Sequence, residues 1–300
     1  MDAMWLSLVM TLAACGTVAL RPDAAASDAT LVDAAATDAT PIDADAGVLP
    51  DGKPVVRAVT DRPDEVTGNQ VHALYVVPSD GVDRQLDTSP SLATSIEAWS
   101  QWIPRKLGGV RLRLDTADGK PDITFVRLAR SNAELAATGE FIRDAIEHDL
   151  GTLGQINLNK IYAVYYDGDA TTCGGAPFPP TLVGRVSALY LDGHPPSSIP
   201  CRDTPLAASA DAPGYFEFSM VRGLFHALGA VPTCAPHAAG SDVSDSASDI
   251  MYSGPLAWAP SEIDVGRDDY WGHAILGCLD LARSRFLEPQ PTNAELPPGW

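Results

Sequence analysis

Two stretches decide the fold: Met220–Gly229, MVRGLFHALG, and Ser246–Gly254, SASDIMYSG. The first lies in Tyr215–Leu228, a predicted helix that stops at Gly229, because a glycine just past a helix end takes a left-handed φ without steric cost. Arg222 and His226 are four residues apart and share one helix face. An imidazole can ligate a metal, whereas a guanidinium offers no lone pair and adds a positive charge. Gly223 lies between them, and a glycine inside a helix costs about 1 kcal/mol relative to alanine.

Together the two stretches resemble the active-site helix and Met-turn of the metzincin zinc metalloproteases, whose helix reads H-E-x-x-H-x-x-G. His226 matches the second histidine and Gly229 the closing glycine, while Arg222 and Gly223 replace the first histidine and the general-base glutamate. The long metzincin pattern would place a third ligand at Pro232, and His237 is the nearest histidine. His226 and His237 are therefore read as remnants of a metal site. Each also has an ordinary alternative, His226 as a partly buried structural histidine and His237 as a polar loop residue. Met251 and Tyr252 match the Met-turn. The resemblance implies an α+β fold: a twisted mixed sheet, backing helices, an active-site-like helix and a loop-rich C-terminal part. With Gly223 at the general-base position, no catalytic residue is assigned.

The amino terminus reads as an export signal. Met4–Ala14 is an apolar run too short to cross a bilayer. It ends in Leu12-Ala13-Ala14-Cys15, which resembles a bacterial lipobox with Cys15 as the lipidated residue, although Asp2 stands where a basic residue is usual. Residues 16–54 hold aspartate–alanine pairs at a spacing of five, beginning at Asp23-Ala24 and ending at Asp43-Ala44. That period builds no helical stripe and buries little, so a disordered tether is expected. The folded domain is assigned to residues 55–300.

Without Cys15, four cysteines remain, an even set that an oxidising compartment would pair. Of three connectivities, Cys173–Cys201 and Cys234–Cys278 join the sequence-nearest partners. No C-x-x-C occurs, which argues against a thiolate zinc site. A formal charge of −19 argues against nucleic acid and anionic membranes as partners of a basic face.

Strands are expected at Val71–Val77, Val110–Leu114, Ile123–Leu128, Lys160–Tyr166 and Val183–Leu191. Helices are expected at Ser89–Leu107 and Asn132–Leu150, the latter with Leu135, Phe141, Ala145 and Ile146 inward, and a short one at Leu279–Arg283. Glu217 and Glu147-His148 read as solvent-facing helix residues rather than ligands. Asp264, Asp268, Asp269 and His273 lack calcium-loop spacing, and Arg267 suggests local ion pairs. The functional expectation is an extracytoplasmic, lipid-anchored protein of the cell envelope, touching the membrane through its anchor alone. It would be a pseudoprotease that binds a peptide or cell-envelope ligand and needs no cofactor. The alternatives are an active zinc endopeptidase with an altered metal site, and a structural surface protein.

Overall fold

The computed structural model describes residues 57–196, 200–297 and 299–300. The signal segment, Cys15 and the tether lie outside the described residues. In chain order the regular elements are β1 (Gln70–Val77), α1 (Pro90–Lys106), β2 (Arg111–Leu112), β3 (Thr116–Ala117), β4 (Lys120–Pro121), β5 (Ile123–Arg127), α2 (Asn132–Ala136), α3 (Ile142–Thr152), β6 (Lys160–Tyr166), β7 (Gly174–Gly175), β8 (Val186–Tyr190), α4 (Tyr215–Ala227), β9 (Ala238–Ala239), β10 (Asp242–Val243) and β11 (Leu287–Glu288). The fold is mixed α+β.

The central sheet has the order β5-β1-β6-β8-β7. Its first four strands are parallel, and β7 closes one edge antiparallel to β8. Every residue of β1 and β6 is buried. This is why both read as unbroken apolar runs rather than alternating ones: helices cover both faces of a parallel sheet. On one face Val71, Ala73, Tyr75 and Val77 pack with α1 and α4; on the other, Leu74 and Val76 pack with α2 and α3. Trp99 of α1 is fully buried and its Nε1 donates to Tyr165 Oη at 3.2 Å. Truncating a side chain of that size in a core costs about 3–5 kcal/mol.

Three expectations need correction. The helix expected over Asn132–Leu150 is broken by a 3-10 turn at Gly139–Phe141, because Gly139 takes φ +62° and redirects the chain. Phe141, expected inward, is consequently exposed, while Leu135, Ala145 and Ile146 are buried. The strand expected over Val110–Leu114 shrinks to β2, which pairs with β11 outside the main sheet.

Disulfides join Cys173 to Cys201 and Cys234 to Cys278. The first ties the residue before β7 to a loop beyond β8. The second ties the segment after α4 to the C-terminal region. Such bonds fit an oxidising, extracytoplasmic compartment. No helix among the described residues is long and apolar enough to cross a membrane.

Candidate functional site

Helix α4 runs beneath the sheet and ends as the sequence implies, with Gly229 at φ +87°. Its start is fixed by Glu217, which is not solvent-facing as expected but fully buried. One carboxylate oxygen accepts from Gly214 N at 2.8 Å, and the other from Ser95 Oγ at 2.6 Å and Ala207 N at 3.0 Å. The carboxylate thus caps the helix and satisfies a loop and α1 together.

Arg222 and His226 meet over one carboxylate, Asp242 of β10. Arg222 Nη2 lies 2.7 Å from Asp242 Oδ1, and His226 Nε2 lies 3.2 Å from the same oxygen. Arg222 Nη1 also donates to the carbonyl oxygen of Tyr252 at 2.7 Å. One guanidinium therefore ties α4 to both the β9–β10 hairpin and the turn at Met251-Tyr252. Burial pushes the Asp242 carboxyl upward, but hydrogen bonding and charge from His226, with the charge of Arg222, hold it below the ordinary carboxylate range. His226 Nδ1 is buried and has no hydrogen-bond partner.

Gly223 has a packing role that sequence reasoning missed. A Cβ there would lie 2.1 Å from Ser187 Oγ and 3.1 Å from Ser187 Cβ of β8. The helix approaches the sheet too closely for a side chain, so the glycine's propensity cost is offset by that approach. Met251 is fully buried in the core that α4 joins. Tyr252 is also buried, and its hydroxyl accepts from Leu256 N at 3.0 Å, folding back on its own turn.

His237 bonds to a different carboxylate from His226. Asp269 accepts from His237 N at 2.8 Å and lies 3.0 Å from its Nδ1. Among the described residues, three groups of histidine and acidic side chains are close enough to hold a metal ion, and none includes His226. The donors on α4 do not fit a catalytic zinc ion. One imidazole faces a carboxylate already paired with a guanidinium, and no acid stands at position 223.

Glu147 pairs with Arg143 and accepts from Arg185 N, while His148 is exposed. Asp264 accepts from the backbone N–H groups of Asp268, Asp269, Tyr270 and Trp271, and burial pushes its carboxyl up. The ion pairs expected of Arg267 do not form among the described residues; it donates instead to Lys106 O. His273 bonds to Leu279 O.

Beside α4 opens a cleft of about 740 Å³. Strand β7 forms one wall, and Ser219, Arg222, Gly223 and His226 line another. Exposed rings of Phe141, Phe178 and Tyr215 also line it, and Tyr215 meets Trp258 edge-on at 6.0 Å. A second cavity, about 420 Å³, lies by the start of α1, away from Arg222 and His226.

No family model and no curated protein matches this sequence. Among solved structures the chain is similar to catalytically inactive OgpA from Akkermansia muciniphila, crystallised with an O-glycopeptide (glycodrosocin) substrate. The identity is 13%, the match covers 57% of this chain and 52% of that one, and the TM-score is 0.34. The chain thus spans about half the length of that neighbour. A likeness this low carries no argument about activity.

Proposed function

We propose that this chain is an exported, lipid-anchored, metzincin-like pseudoprotease that holds extended peptide segments of the cell envelope without cutting them. The observation that carries the reading is the Arg222–Asp242–His226 arrangement beside an open cleft. A fixed guanidinium supplies the positive charge where the resemblance calls for a ligand to a cation. The neighbouring general-base position is filled by a glycine pressed against Ser187. Zinc-dependent hydrolysis of a peptide bond requires a metal-activated water, and without a ligand and the base the α4 site lacks the means to make one.

Binding needs neither. Among the described residues strand β7 pairs with β8 alone, so its outer side is a sheet edge facing the cleft. An extended peptide added there gains main-chain hydrogen bonds, and the exposed rings offer apolar surface to its side chains. In this reading Cys15 carries the lipid, residues 16–54 are the spacer, and residues 55–300 are the binding domain.

The test is a peptide library presented to the purified domain, with retention and cleavage scored separately. Retention weakened in Tyr215→Ala, without cleavage, is the expected result. Chelator-sensitive hydrolysis that disappears in His226→Ala would overturn it. For the anchor, labelled fatty acid should enter the wild type and not Cys15→Ser; an unlabelled wild type refutes lipidation.

A further inference from the structure

The structure brings His237 into a cluster that the cleft does not use. His237 Nδ1 lies 3.0 Å from Asp269 Oδ2 and 3.9 Å from Asp268 Oδ2. Donor atoms of His237, Asp245 and Asp269 lie within 4.8 Å of one another, and Asp269 is shared with a second group made with Asp264 and Asp268. We propose that His237, Asp245 and Asp269, joined by Asp268, form a binding site for a divalent transition-metal ion such as Mn²⁺ or Zn²⁺.

The spacing supports this. Two donors each about 2.1 Å from an ion, at right angles, lie about 3.0 Å apart, and opposite donors about 4.2 Å apart. The His237–Asp269 and His237–Asp268 distances fall within those limits, so an ion can replace the proton shared by imidazole and carboxylate. One imidazole with two or three carboxylates is a mixed nitrogen and oxygen set suited to first-row divalent ions.

The charge around the cluster is unbalanced. Asp245 is exposed and has no cationic partner among the described residues, and Arg267 spends its guanidinium on Lys106 O. Asp268 Oδ1 is buried without a hydrogen-bond partner. Asp269 is buried and already holds His237 by backbone and ring together, so the imidazole is oriented before an ion arrives.

The position gives the ion a role. His237 directly precedes the β9–β10 hairpin, whose Asp242 holds Arg222 and His226 at the cleft wall. An ion at His237 would pin the base of that hairpin to the Asp264–Tyr270 segment. The site differs in residues and place from the one the resemblance implied around His226.

The experiment is titration of chelator-stripped, purified protein with Mn²⁺ and, separately, Zn²⁺, by calorimetry. One saturable site per chain is expected, with a rise in melting temperature on loading. His237→Ala and Asp245→Asn should each weaken it at least about tenfold. His226→Ala should leave it unchanged. Should His237→Ala fail to fold, Asp245→Asn decides alone, because Asp245 is exposed and makes no hydrogen bond or ion pair among the described residues. Absence of saturation below about 1 mM would overturn the proposal. So would unchanged binding in Asp245→Asn or loss in His226→Ala.

Discussion

Gly223→Ala tests whether α4 is seated on the sheet as described. In an open helix this change stabilises by about 1 kcal/mol, because alanine loses less backbone entropy. Here the added methyl would meet Ser187 Oγ at 2.1 Å and Ser187 Cβ at 3.1 Å. The hydroxyl can rotate away, at the cost of its 3.5 Å contact with Met220 Sδ. The Cβ contact remains, and Ser187 is buried in β8, so helix or strand must shift by a few tenths of an ångström. Overpacking of this kind costs about 1–3 kcal/mol, which outweighs the propensity gain and leaves a net loss of about 0–2 kcal/mol. The assay is urea denaturation of wild type, Gly223→Ala, Ser187→Gly and the double variant. Once Ser187 is cut back to glycine, Gly223→Ala should turn stabilising, giving a coupling of about 1–3 kcal/mol. A gain of about 1 kcal/mol from Gly223→Ala with Ser187 intact, and no coupling, would refute the close approach. The same contact means that restoring H-E-x-x-H by Arg222→His with Gly223→Glu would collide with β8 before it could rebuild a metal site.

Arg222→Met should destabilise by about 1–3 kcal/mol, because Asp242 and the Tyr252 carbonyl lose their partner in a partly exposed setting; thermal melts should show Asp242→Asn relieving part of that loss. At the far end of the sheet, buried Asp115 bonds to Lys160 Nζ at 2.7 Å and to His72 Nδ1 at 2.6 Å. Burial raises its carboxyl, but hydrogen bonds and charge from His72 and Lys160 hold it below the model-peptide value of 3.8. Its stabilisation is therefore fully present above that value and lost as pH falls through the lower folded one, so Asp115→Asn should flatten the acid limb of a stability–pH curve. An unchanged limb would place the acid sensitivity elsewhere. Cys234→Ser with Cys278→Ser should cost about 2–4 kcal/mol in chemical denaturation, and a loss under about 0.5 kcal/mol would show that other contacts already fix those segments.

Patterns along the chain determined the elements that bury continuous surface. The β-branched and aromatic apolar runs of Val71–Val77 and Lys160–Tyr166 read as strands, and the glycine at 229 marked the end of α4 because few other residues take its φ. Cysteine order anticipated both disulfides. Sequence alone also shows that Arg222 and Gly223 depart from the metzincin pattern the helix resembles, since a motif is read from residue types at fixed spacing. What stands in its place was invisible, because it depends on contacts between residues far apart in the chain. Asp242, 20 positions after Arg222, carries no motif, and only the β9–β10 hairpin brings it to Arg222 and His226. Gly223 looked like a weakness in a helix until Ser187, from another strand, left no room for a side chain. Glu217 looked solvent-facing until α1 and the loop that precedes α4 closed around it. His237 was grouped with His226 by nearness in sequence, whereas the fold gives it to Asp269. Local periodicity records which surfaces a segment must bury, but the partner of each polar group is fixed only when distant segments pack.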